Sequence, residues 1–141
     1  MFPKSLLALF FSAAACSAAT LSIVDSEMRD VQSGALALGV NIAATGIAAP
    51  DINRVKTRVC IFEKGPRGTI NLAKPDLSFR WLQLPVDWAK SATEKFEVGY
   101  PGPKPGFTYK GYAIAVYYDG ELQEAYFSSE FLQKKFPFSS H

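Results

Sequence analysis

The chain has one histidine in 141 residues, and it is the last one, His141. Chain ends fray, so no fixed imidazole is available for a Ser-His-Asp or Cys-His arrangement. Cysteine is almost as scarce. Cys16 and Cys60 are the whole supply, too few for a disulfide framework and not clustered with histidine at zinc spacing. No glycine-rich loop leads from a strand into a helix, which removes the usual phosphate cradle. An excess of one charge sign is missing too. Of the 15 Lys and Arg only Lys4 precedes Thr20, which leaves 14 basic against 13 acidic residues over 20–141. That balance makes no general field for nucleic acid or for an anionic membrane. Asp25, Glu27 and Asp30, and likewise Glu121 and Glu124, read as solvated faces rather than as the paired carboxylates of a hydrolase. The expectation is a protein that is not an enzyme, binds no nucleic acid and uses no cofactor or metal.

What is present begins with a leader. Lys4 precedes an apolar stretch from Leu6 to Ala15, and Ser17-Ala18-Ala19 supplies small residues behind it. This is the layout of a secretory signal peptide over residues 1–19, and the stretch is short against the ~20 residues of a membrane-spanning helix. Residues 20–141 then form one domain, expected in the periplasm, at the outer membrane or secreted. Cys16 admits a second reading. Ala13-Ala14-Ala15-Cys16 resembles a bacterial lipobox, which would make Cys16 a lipidated first residue and Ser17 to about Ile23 a flexible tether to the membrane. A lipobox usually has Leu where Ala13 stands, so cleavage after Ala19 without lipid is the preferred expectation.

Past the leader, short alternating segments are separated by turn residues, the pattern of strands rather than helices. Seven strands are predicted, over 21–31, 34–45, 54–64, 76–84, 94–100, 110–118 and 121–128. Alternation assigns Leu36, Leu38, Val40, Val59, Ile61, Phe79, Trp81, Phe96, Val98, Ile114 and Val116 to the core. Asp119-Gly120 is a two-residue hairpin signal, and Ser129 to Phe136 reads as a short helix or a ragged strand extension. Cys60 lies on the face opposite Val59 and Ile61 and reads as a small, partly covered hydrophobe. The fold class expected is all-β: a seven-stranded antiparallel immunoglobulin-like sandwich.

Three places could bind something. Lys64-Gly65-Pro66-Arg67-Gly68 follows the third predicted strand and Tyr100-Pro101-Gly102-Pro103-Lys104-Pro105-Gly106 follows the fifth. In an immunoglobulin-like topology both fall at one end, where Lys64, Arg67, Lys104 and Lys110 would make a basic edge for an acidic protein patch or a sulfated glycan. The bland alternative is that exposed turns use such residues anyway. Trp88 lies between predicted strands and could stack on a sugar with Tyr117 or Tyr126, or could plug the core with Trp81. Residues 20–31 could pair with a neighbouring subunit, or could be an ordinary edge strand kept soluble by its charges.

The leader, Arg58-Val59-Cys60-Ile61-Phe62-Glu63, and the run Tyr112-Ala113-Ile114-Ala115-Val116-Tyr117-Tyr118-Asp119-Gly120-Glu121-Leu122 together resemble small exported immunoglobulin-like proteins of Gram-negative gut bacteria, some encoded beside type IV pilus genes. The resemblance implies envelope localisation and a role in pilus assembly or host contact, and it carries no functional residue. The functional expectation is a non-catalytic envelope module working through protein partners, itself included as a homo-oligomer. The alternative is a carbohydrate-binding module that uses exposed aromatics. The membrane enters only if Cys16 is lipidated.

Overall fold

The structure, a computed structural model, describes residues 20–46, 48–73 and 77–138. The expected signal peptide over 1–19, Cys16 within it, and His141 lie outside the described residues. Eight strands run in order: β1 (Thr20–Asp30), β2 (Leu36–Thr45), β3 (Val55–Lys64), β4 (Ile70–Leu72), β5 (Ser78–Trp81), β6 (Thr93–Tyr100), β7 (Thr108–Tyr118) and β8 (Glu121–Phe127). One helix, α1 (Glu130–Lys135), follows. The strands form two antiparallel four-stranded sheets, ordered β1-β2-β6-β5 and β4-β3-β7-β8. Among the described residues no helix is long and apolar enough to cross a membrane.

Alternation builds the core as expected for facing sheets. Leu38, Val40, Ile42, Phe96 and Val98 of the first sheet pack against Ile61, Tyr112, Ile114 and Val116 of the second. Asp119 and Gly120 both take positive φ, 54° and 83°, so β7 and β8 are joined by the tight turn their sequence signals.

The strand count is eight, not seven. The addition is β4, which pairs with β3 through Phe62↔Leu72, Glu63↔Asn71 and Lys64↔Ile70. Three residues are too few for alternation to register. Its neighbour β5 is shorter than predicted, four residues in place of nine. Phe79, assigned to the core, is 46% exposed, because the short β4 leaves this margin of the sandwich thinly covered.

The opposite margin is closed. The Ile23 amide donates to Glu124 Oε1 at 2.6 Å and the Leu21 amide to Gln123 Oε1 at 3.4 Å. Side chains of β8 thus occupy backbone donors on the free edge of β1. Leu21 is buried and β1 pairs with β2 from Thr20 onward. A tether extending to Ile23 is therefore ruled out, since those residues belong to the sheet.

A second, smaller core covers the outer face of the β3–β7 sheet. Ser129 caps α1 by accepting from the Leu132 amide, and the buried Leu132 side chain joins Phe62 and Ala113. Phe136 stacks on Phe62 at 4.7 Å between centroids, and Phe138 lies 5.3 Å from Phe127. Gly111 permits this approach: a Cβ there would stand 2.7 Å from Leu132 Cδ1.

Candidate functional site

The loops at one end interlock. A Cβ on Gly65 would fall 3.0 Å from the Phe107 ring, and one on Gly102, at φ +102°, would fall 2.5 Å from the Gly34 carbonyl. Glycine lets the 31–35, 65–69 and 101–107 connections close on one another. Lys64, Arg67 and Lys104 are exposed here, with Lys110 exposed near the start of β7. Lys64 pairs with Thr108 across β3 and β7, which sets Lys64 beside the end of the 101–107 connection and the start of β7 that carries Lys110.

None of the four makes an ion pair among the described residues, whereas Arg29 and Arg80 both hold Glu97, and Arg54 holds Asp119. The hydrogen bonds from Arg80 and Arg29 keep the Glu97 carboxyl below the usual range. Lys104 rests its ammonium 4.2 Å from the Phe107 ring centroid, a contact that steadies the side chain without neutralising it.

Beneath that end, the buried Glu63 carboxylate accepts from the Tyr100 hydroxyl. Burial, and then Glu63, push the Tyr100 phenol up, and burial pushes Tyr109 up to about 12. Both shifts favour the protonated phenol, and the Tyr100 hydroxyl is held as a donor to Glu63.

The aromatic candidates do not assemble. Trp88 is buried, 7% exposed, and its Nε1–H donates to the Ile42 carbonyl at 3.0 Å. Its ring meets Trp81 edge-on at 5.9 Å. Trp88 therefore plugs the core from a loop and offers no face to a sugar. Satisfying the indole N–H on a strand carbonyl is what allows the inward turn. Tyr117 is also buried, while Tyr126 is 43% exposed. Phe79 and Trp81 meet at 85°, which is no flat platform.

The surface that sequence reasoning missed is the open margin along β4 and β5. Phe79, Leu82 and Leu84 are exposed there by 46, 42 and 77%. The Leu82 amide donates to the Lys95 carbonyl at 2.9 Å, continuing the β5–β6 register of Trp81↔Phe96. Backbone groups alternate direction along an antiparallel strand. Arg80 and Ser78 therefore bond inward to β6, and the N–H and C=O of Phe79 and Trp81 point to the free edge. One sequence signal was available. Leu77, Phe79 and Trp81 share one parity while Leu82 and Leu84 take the other, so the segment cannot bury all its apolar side chains against one core.

A groove of about 190 Å³ on the outer sheet face is lined by Arg58, Cys60, Phe62, Leu72 and the 136–138 tail. Cys60 is half-buried there, and burial pushes its thiol up despite Arg58 nearby. It behaves as a partly covered hydrophobe with a sluggish thiol. No group of three potential metal ligands occurs among the described residues. Neither a family model, a curated protein nor a solved structure matches the chain.

Proposed function

We propose that the chain is an exported, non-catalytic module of the cell envelope that binds a protein along its open β4–β5 margin, in pilus assembly or host contact. The observation that carries this reading is the exposure of Phe79, and of Leu82 and Leu84 just beyond β5 at the opposite parity, around a β5 backbone edge that is unpaired among the described residues. Soluble proteins usually guard such edges with charge, proline or a covering element. Here β1 is guarded by Gln123 and Glu124, and among the described residues no strand pairs with the outer edge of β5. An open edge with adjacent apolar side chains fits strand addition, in which main-chain bonds supply affinity and side-chain pockets supply choice of partner.

The strand order supports the finer, immunoglobulin-like reading of the sandwich. Taking β1, β2, β5 and β6 as A, B, D and E, and β3, β4, β7 and β8 as C, C′, F and G, gives the ABED and C′CFG sheets of that topology. The basic end with Lys64, Arg67, Lys104 and Lys110 lies at the loop pole of the same domain and would steer an acidic partner.

A photo-crosslinking residue at Leu84, the most exposed of the apolar row, tests the reading in envelope preparations. The expected result is a discrete protein adduct that is absent when the crosslinker stands at Lys56, an exposed position on β3 of the opposite sheet. A chain that yields no adduct at Leu84 but retains specific glycans on an array would overturn it in favour of carbohydrate binding.

A further inference from the structure

Val55, Val59 and Ile61 of β3 join the inner core, so alternation turns Lys56, Arg58, Cys60 and Phe62 to the outer face of their sheet. Two hollows lie along that face, and Arg58 lines both. The first is the groove of about 190 Å³, where Arg58 stands with Cys60, Phe62, Leu72, Phe136 and Phe138. The second is a wider hollow of about 360 Å³ lined by Lys56, Thr57, Arg58, Tyr117 and Gly120. Among the described residues no carboxylate lines either one. Asp119, next to Gly120, is held by Arg54. We propose that this face binds a small organic carboxylate bearing one aromatic ring, with the carboxylate on Arg58 and Lys56 and the ring in the groove.

Each half of the ligand follows from one half of the site. An apolar cavity of about 150 Å³ is large enough to take benzene, so the groove accepts a ring and excludes a long chain. Phe62 and Phe136, stacked at 4.7 Å, and the exposed Leu72 supply its apolar contacts. At its mouth the charge is of one sign. Lys56 and Arg58 are both exposed, form no ion pair among the described residues, and sit roughly 7 Å apart by the rise of the strand. Across the ladder Arg58 faces only Ala115, which leaves room beside the guanidinium. Its carbon lies 5.7 Å from the Phe138 ring centroid, a contact that steadies it where the two hollows meet. A planar guanidinium matches a carboxylate with two parallel N–H donors. A cationic ligand would be repelled here, and a neutral one would gain only the groove. The site lies on the sheet that does not contain β5, so it stands or falls independently of protein binding along that margin.

Cys60 lines the groove and reports its occupancy through its rate of labelling by neutral iodoacetamide. In the full chain as its cells process it, 3-phenylpropionate should slow that labelling saturably, by about tenfold when bound. The uncharged 3-phenylpropionamide has the same ring and reach. It should need a concentration at least about tenfold higher for the same protection, as expected when a charged hydrogen bond is lost. Arg58→Gln, at an exposed position, should keep the far-ultraviolet spectrum. It should raise the half-saturating concentration of the carboxylate about tenfold and leave that of the amide unchanged, each judged against the variant's own ligand-free rate. Leu72→Asp, also exposed, should weaken the carboxylate more than the amide by placing a like charge beside it. Labelling indifferent to 3-phenylpropionate up to its solubility limit would overturn the proposal. Equal protection by carboxylate and amide, or an Arg58→Gln chain that binds both as the parent does, would overturn it as well.

Discussion

Trp88→Ala should destabilise the domain by about 3–5 kcal/mol, as expected for truncating a buried tryptophan. The ring is buried between the first sheet and the 82–92 connection, edge-on to Trp81, and its Nε1–H satisfies the Ile42 carbonyl. Removing it leaves a cavity beneath Trp81 and a buried carbonyl without its donor. For a domain near this size the midpoint of thermal unfolding should fall by roughly 10–20 °C. Trp88→Phe, which refills most of the cavity but not the hydrogen bond, should recover more than half of the loss. A Trp88→Ala protein of unchanged melting temperature would mean that the residue is at the surface after all.

Leu132→Ala should detach the C-terminal segment while leaving the sandwich folded. Only one side chain of α1 is buried, and it is Leu132. Truncating a buried leucine costs about 2–5 kcal/mol, more than a six-residue helix can supply from its own propensity. With α1 released, Phe136 and Phe138 leave Phe62 and Phe127, and the groove over Cys60 opens. Cys60 then reports the event. Its labelling by a thiol reagent at fixed pH should accelerate by about tenfold or more, because both steric cover and the burial that raises its pKa are lost. An unchanged labelling rate would show that the tail holds without its leucine.

Much of the fold was legible because alternation over seven or more residues is a strong signal. The cores of β2, β6 and β7 follow directly from it, and Asp119-Gly120 announced its own turn. The failures share a physical origin. Ile70-Asn71-Leu72 is too short to alternate, so β4 went unseen. Without β4, nothing indicated that the face carrying Phe79 would lack a full opposing layer. Trp88 stood between two readings, sugar stacking or a core plug, and only the three-dimensional path of the 82–92 connection brings its indole N–H to Ile42 and selects the plug.

The basic end was readable from the chain because Lys64 and Lys104 sit in loops whose ends the strand order brings together. The open margin was not, since exposure of Phe79, Leu82 and Leu84 depends on which strand ends the sheet. Its one trace in the sequence is the switch of apolar parity between Trp81 and Leu82.

Residue-resolved amide exchange along β5 tests the central claim most directly. In dilute protein the Ser78 and Arg80 amides, bonded to β6, should exchange slowly, and the Phe79 and Trp81 amides, facing the free edge, should exchange fast. In envelope preparations, where a partner strand adds, Phe79 and Trp81 should become protected as well, while amides at the basic end stay unchanged. Phe79 and Trp81 amides that exchange fast under every condition, including within envelope preparations, would contradict the account.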